Sequence, residues 1–197
     1  MTDKILITGS GKCGTTFFVE LLTELGFDTG FEPGKVSSGE WNYMHSDAVL
    51  EGQPRIIKSP NFCKNARIQD MKEKWGWHVD HVYVLLRDYD QVANNRWKRW
   101  RFKTGLPLIE DQEYKVKDTQ WRDYKKKAAR AIGYLMLQLI GEDIPYTFLQ
   151  FPRIIKDPEY LWSNCALLQT LDYETFKAGF DKVADTDKVH WGLKEES

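Results

Sequence analysis

Cysteine, histidine and net charge are all scarce in this chain. Its 197 residues hold three cysteines (Cys13, Cys63 and Cys165) and four histidines, and the formal net charge is −1. Three is a low and odd number, which excludes the paired framework of a small secreted disulfide scaffold. No two of the cysteines have the Cys-x-x-Cys spacing of a zinc site. The near-zero charge excludes a basic coat for nucleic acid and an acidic tail, though not a local basic cluster. Long apolar runs are lacking as well. The longest, Ala131 to Ile140, is broken by Gly133 and Gln138 and falls short of the ~20 residues a membrane span needs. The opening MTDKILITG has too short an apolar part for a signal peptide and leads straight into glycines. These absences lead us to expect one globular domain over residues 1–197, cytoplasmic, with no nucleic-acid partner, no metal and no membrane span. A chain of this length buries a core without disulfide staples.

Aromatic residues, by contrast, are abundant: eight Trp, nine Tyr and ten Phe. A core of this size rarely needs so many tryptophans, so some are expected to line a pocket. There is no internal repeat and no low-complexity tract. Ile5-Leu6-Ile7-Thr8 reads as a buried parallel strand ended by Gly9. From Thr15 to Leu25, Phe17, Phe18, Leu21, Leu22 and Leu25 fall at helical spacing, with Gly26 as the cap. Further strands are predicted at Arg55 to Lys58, at His81 to Leu86 and at Tyr146 to Phe151. Helices are predicted over Asn65 to Trp75, from Asp88 to about Phe102, over Asp118 to Ile140, after Asp157 with Pro158 in its first position, and over about Thr175 to Ala184. The polar stretch Thr104 to Lys117, with Gly105 and Pro107, reads as a loop. Strands alternating with helices give an α/β class with a parallel sheet. In such sheets ligands sit outside the carboxyl ends of the strands, where Gly9, Lys58 and Arg87 all fall.

Between the first strand and first helix stands Gly9-Ser10-Gly11-Lys12-Cys13-Gly14-Thr15-Thr16. It has the Gly-x-x-x-x-Gly frame of a P-loop. Glycines let backbone N–H groups curl around an anion, and the helix N-terminus adds its positive dipole end. Thr15 and Thr16 offer hydroxyl donors to phosphate oxygens. A Walker A motif carries Lys directly after the second Gly, and here Thr15 stands there; the lysine has moved inside the loop, to Lys12. That argues against a nucleotide or small-molecule kinase, which shares the fold but relies on Mg²⁺ and that lysine.

Lys-x-Gly-Thr-Thr after a first strand resembles the phosphosulfate loop of sulfotransferases, which use 3′-phosphoadenosine 5′-phosphosulfate (PAPS). The resemblance implies a three-layer P-loop-type α/β fold, with a central parallel sheet flanked by helices. It implies that Ser10, Gly11, Lys12, Cys13, Gly14, Thr15 and Thr16 grip the 5′-phosphosulfate, with Lys12 on the bridging oxygen of the leaving group. The family's usual Pro before the basic residue is Gly11 here, and its usual Ser after it is Cys13. A second family pattern, Arg-x7-Ser after the strongest strand, binds the 3′-phosphate. Arg87 supplies the Arg, Asn95 stands where Ser is expected and still donates through its amide, and Arg96 adds charge. An arginine at a strand end needs a partner, either a phosphate or a carboxylate such as that of Asp88. The resemblance covers roughly residues 4–100 and extends weakly to Phe151-Pro152-Arg153 and the segment Lys156 to Leu161.

Sulfuryl transfer requires a base for the acceptor and cations for the leaving phosphate. Lys12 is one cation; Lys58, at the end of the second strand, matches a lysine that many sulfotransferases carry there. Cytosolic members place a catalytic His two residues later, where this chain has Pro60. Carbohydrate-acting members resemble a plan with a Glu base in the loop after the first helix. Glu40, in Gly39-Glu40-Trp41, is the preferred candidate, since Trp41 can desolvate its carboxylate; Glu32 and His45 are the others. His78, His81 and His190 read as structural or surface residues. The segment Trp97 to Lys103 interleaves cations and aromatics, suited to stacking an acceptor sugar or nucleotide or to forming a solvated basic face over two core tryptophans. Lys125-Lys126-Lys127 reads as a solvated helix face. The expectation is a PAPS-dependent sulfotransferase acting on a small-molecule or glycan hydroxyl. The alternatives are a kinase of the same fold and a nucleotide-binding module that has lost its base.

Overall fold

The computed structural model describes residues 2–9, 13–36, 54–59, 62, 68–92 and 110–184. Four strands, β1 (Thr2–Gly9), β2 (Ile56–Lys58), β3 (Trp77–Arg87) and β4 (Tyr146–Phe151), form one sheet in the order β2-β1-β3-β4. Every pairing is parallel: Ile7 lies in register with Lys58 on one side and Tyr83 on the other, and Arg87 with Phe151. The helices are α1 (Thr15–Glu24), α2 (Ile68–Trp75), α3 (Glu110–Gly141), α4 (Arg153–Lys156), α5 (Pro158–Ser163) and α6 (Tyr173–Val183), with a 3₁₀ turn at Leu168–Thr170. The α/β class with an all-parallel central sheet is therefore observed.

Side chains along a strand alternate between the two faces, and the core divides accordingly. Ile5, Ile7, Ile56, Tyr83, Leu85, Leu149 and Phe151 pack on one face with Phe18, Leu21 and Leu22 of α1 and with Ile154, Leu161, Phe176 and Phe180. Leu6, Ile57, Val82 and Val84 pack on the other with Ile68 and Met71 of α2 and with Leu135 and Leu139 of α3. Leu6 and Ile7 are both fully buried, so the β1 run of apolar residues is explained by cover on both faces. Each such side chain contributes on the order of 1.5–3 kcal/mol by leaving water.

The chain leaves β1 toward β2 on the α1 face, and leaves β3 toward β4 on the opposite face through α3. Connections that depart in opposite directions open a crevice between β1 and β3 at their carboxyl ends. Gly9 ends β1 at this crevice, in register with Leu85 of β3.

Several elements differ from the sequence reading. β3 starts at Trp77, four residues ahead of the apolar run from His81, and its register with β1 shifts between Lys4 and Ile5. The loop expected over Thr104 to Lys117 gives way to helix at Glu110, so α3 is 32 residues long. Its first turns are rich in charged residues and carry no apolar stripe, which is why periodicity missed them. The helix after Asp88 is seen to begin, with the Asp88 carboxylate accepting from the Gln91 N–H at 2.9 Å; its continuation lies outside the described residues. α5 starts as expected: the Asp157 carboxylate accepts from the Tyr160 N–H at 2.9 Å, and Pro158 follows it.

Candidate functional site

The site is built where β1 hands over to α1. Gly14 is the N-cap residue of α1, with φ at 88°, a left-handed conformation that suits glycine. A Cβ on Gly14 would lie 2.4 Å from Cδ2 of Phe151, so the aromatic ring packs directly on the backbone there. A Cβ on Gly9 would meet the Leu85 carbonyl oxygen at 2.3 Å and the Cys13 sulfur at 2.4 Å. The absence of a side chain lets Gly9 lie close against β3 and Gly14 close against β4. No side chain caps the start of α1, and its first N–H groups carry the positive end of the helix dipole.

Cys13 is fully buried and Thr15 nearly so, while Thr16 is half-buried. Lys58 is 3% exposed at the carboxyl end of β2. It shares its face with Ile56 and register with Ile7, so it stands on the α1 side of the sheet. Arg87 shares its face with Tyr83 and Leu85 and also stands on the α1 side. Its guanidinium lies over the Phe151 ring, 4.9 Å from the centroid, and its Nε donates to Oε1 of Gln91 at 3.1 Å. Burial lowers its pKa from the usual arginine value, partly offset by the nearby Cys13 and Asp88; arginine keeps its proton nonetheless.

Lys58 and Arg87 thus flank β1 from two sides. Arg87 lies four residues beyond Tyr83, the register partner of Ile7 and hence level with Lys58. At the usual rise and strand spacing their backbones are about 13 Å apart along the sheet and about 10 Å across it. The Arg87 guanidinium is turned to the β4 side, over Phe151, away from β2 and Lys58. The two cations suit two anionic groups on one extended ligand, with the α1 N-terminus between.

Of the residues named from the sequence, Cys13, Gly14, Thr15, Thr16, Lys58 and Arg87 are described: Phe151 links Gly14 to Arg87, Cys13 lies near Arg87, and Lys58 and Arg87 share the α1 face. Ser10, Gly11, Lys12, Glu40, His45, Asn95 and Arg96, and the Trp97 to Lys103 segment, lie outside the described residues. Glu32 lies within, exposed and ion-paired with Lys35, a setting that leaves its carboxylate solvated. Two neighbours of Arg87 were given no role from the sequence: Gln91, and Phe151, which entered only within the Phe151-Pro152-Arg153 segment of the resemblance. An aromatic residue on the last position of a strand, just before Pro152, is the signal that marks Phe151.

At the opposite, amino-terminal end of the sheet Asp3, His78 and Asp80 group together, with His78 Nδ1 at 3.0 Å from Asp80 and 3.6 Å from Asp3. Arg55 approaches Asp80 at 3.9 Å, so an ordinary surface ion network accounts for this group. No described helix is long and apolar enough to cross a membrane. Neither a family model, nor a curated protein, nor a solved structure matches the chain.

Proposed function

We propose that the chain is a sulfotransferase with a three-layer P-loop-type fold, moving a sulfuryl group from PAPS to the hydroxyl of a small-molecule or carbohydrate acceptor. The observation that carries this reading is the pair of cations, Lys58 and Arg87, on the α1 face at the ends of the two strands that flank β1. Their separation suits a nucleotide bearing anionic groups at both its 5′ and 3′ ends. A Gly-rich cradle, a helix N-terminus and a displaced lysine in place of the Walker lysine support the same ligand class.

The roles follow from charge. The loop backbone, Thr15 and Thr16 would hold the 5′ group, and Lys12 and Lys58 would balance the negative charge that builds on the departing phosphate oxygen. Arg87, with Asn95 and Arg96, would hold the 3′-phosphate. Bound PAPS supplies an activated sulfur. The acceptor oxygen bonds to that sulfur as the bond from sulfur to the phosphate oxygen breaks, and the leaving oxygen keeps the electron pair. Glu40 would take the hydroxyl proton. Lys12, Glu40, Asn95 and Arg96 enter on sequence alone.

Calorimetry with 3′-phosphoadenosine 5′-phosphate tests the reading. Binding that weakens strongly for adenosine 5′-phosphate supports it. Equal affinity for the two, or no binding at millimolar nucleotide, sinks it. Mg²⁺-dependent turnover of ATP would replace it with a kinase.

A further inference from the structure

Two features of the site that look separate share one side chain. The Phe151 ring abuts Gly14, where a Cβ would come 2.4 Å from Cδ2 and 2.9 Å from Cε2. The same ring carries the Arg87 guanidinium, 4.9 Å from its centroid. Phe151 is 7% exposed and stands opposite Arg87 in the β3–β4 register, so its backbone is fixed by the sheet. Ile154 closes on Gly14 as well, its Cδ1 3.3 Å from the same Cβ position. The ring is therefore the wall between the N-cap of α1 and the arginine.

We propose that Phe151 is a positioning residue that gives the site its preference for a nucleotide with a 3′-phosphate, an inference that rests on the nucleotide reading above. The argument is geometric. A guanidinium seated over a ring face and bonded through Nε is restrained from two sides, which limits the directions its forked N–H groups can take. A fork so restrained can meet two phosphate oxygens at once, where a freely turning one loses entropy to do so. Gln91, bonded to Nε at 3.1 Å, is the second of those restraints. The ring also touches the loop, so the distance between the 5′ and 3′ subsites passes through one rigid six-membered spacer. Leucine and methionine can fill much of its volume against Gly14, but neither offers a π face to the cation.

The test compares affinities of the whole chain for 3′-phosphoadenosine 5′-phosphate and adenosine 5′-phosphate, by calorimetry, in wild type and in Phe151→Leu, Phe151→Met and Phe151→Tyr. The ratio of the two affinities is the readout, because loss of packing against Gly14 weakens both nucleotides and cancels from it. The expected result is a ratio lowered about tenfold in the Leu and Met variants and retained in the Tyr variant, which keeps the ring. Two truncating variants are used so that one reports if the other fails to fold. A wild-type preference that survives unchanged in Leu or Met overturns the role of Phe151 and leaves the function standing. A wild type with no preference for the 3′-phosphate overturns both.

Discussion

Gly9 lies so close to Leu85 that a Cβ at residue 9 would sit 2.3 Å from the Leu85 carbonyl oxygen. The two are register partners at the end of the β1–β3 pairing. A backbone carbonyl in a paired strand cannot move aside as a flexible side chain can. Gly9→Ala is therefore expected to cost roughly 1–3 kcal/mol, the range for forcing extra volume into packed structure, read as a lower urea midpoint. Cys13 also crowds the position, at 2.4 Å. Adding Cys13→Gly should restore little, since the carbonyl contact remains. Unchanged stability in Gly9→Ala would show that β1 and β3 do not approach this closely.

Arg87 lies over the Phe151 ring and donates through Nε to Gln91. Lysine keeps the charge and a cation able to sit over the ring, but loses the Nε bond and the forked guanidinium. Arg87→Lys is expected to reduce affinity for 3′-phosphoadenosine 5′-phosphate about tenfold, and affinity for adenosine 5′-phosphate much less. A matched loss on both ligands would place Arg87 away from the 3′ subsite.

The elements that were legible in the sequence are those whose burial is written into neighbouring residues. Ile5 to Ile7 and Val82 to Leu85 are continuous apolar runs because both faces of the central strands are covered. The start of β3 was less legible: Trp77 and Val79 are buried while His78 and Asp80 face out, and four alternating residues joined to a longer run read as its flank. Lys4 gave no sign of burial, yet it is 1% exposed, donates to the Pro54 carbonyl at 2.9 Å and lies 5.4 Å from the Trp77 ring. Those partners are distant along the chain, and a lone lysine beside a strand normally points to solvent. The candidate site divides in the same way. Glycines, Lys58 and Arg87 are visible as residue types at strand ends. The face they share, and the ring of Phe151 set against Gly14, depend on the pairing of strands far apart in sequence.

Lys58 is nearly as buried as the core around it, at 3% exposure. It stands on the α1 face at the carboxyl end of β2, the same face as Arg87. If it faces the 5′ group of the ligand, Lys58→Met should weaken 3′-phosphoadenosine 5′-phosphate and adenosine 5′-phosphate alike, by about ten- to a hundredfold, the worth of one hydrogen bond to a charged partner. This is the opposite signature to Arg87→Lys. A loss confined to the 3′-phosphorylated ligand would exchange the two assignments.

His81 offers a test of the sheet itself, away from the ligand. Its Nε2 pairs with the Thr147 hydroxyl at 2.9 Å, and its ring packs on Tyr83 with centroids 4.6 Å apart. Burial lowers its pKa below the usual 6.5. The folded state therefore resists a proton that the unfolded chain accepts. Stability from this group is complete above pH 6.5, and it is lost as pH falls from there toward the depressed folded value. The urea midpoint is expected to drop between pH 7 and pH 5, and to drop less in His81→Gln, which can still bond Thr147 but does not titrate. Comparing the two removes the contribution of other titrating groups. Parallel pH profiles for wild type and variant would mean that His81 takes up its proton as readily in the folded chain as in the unfolded one.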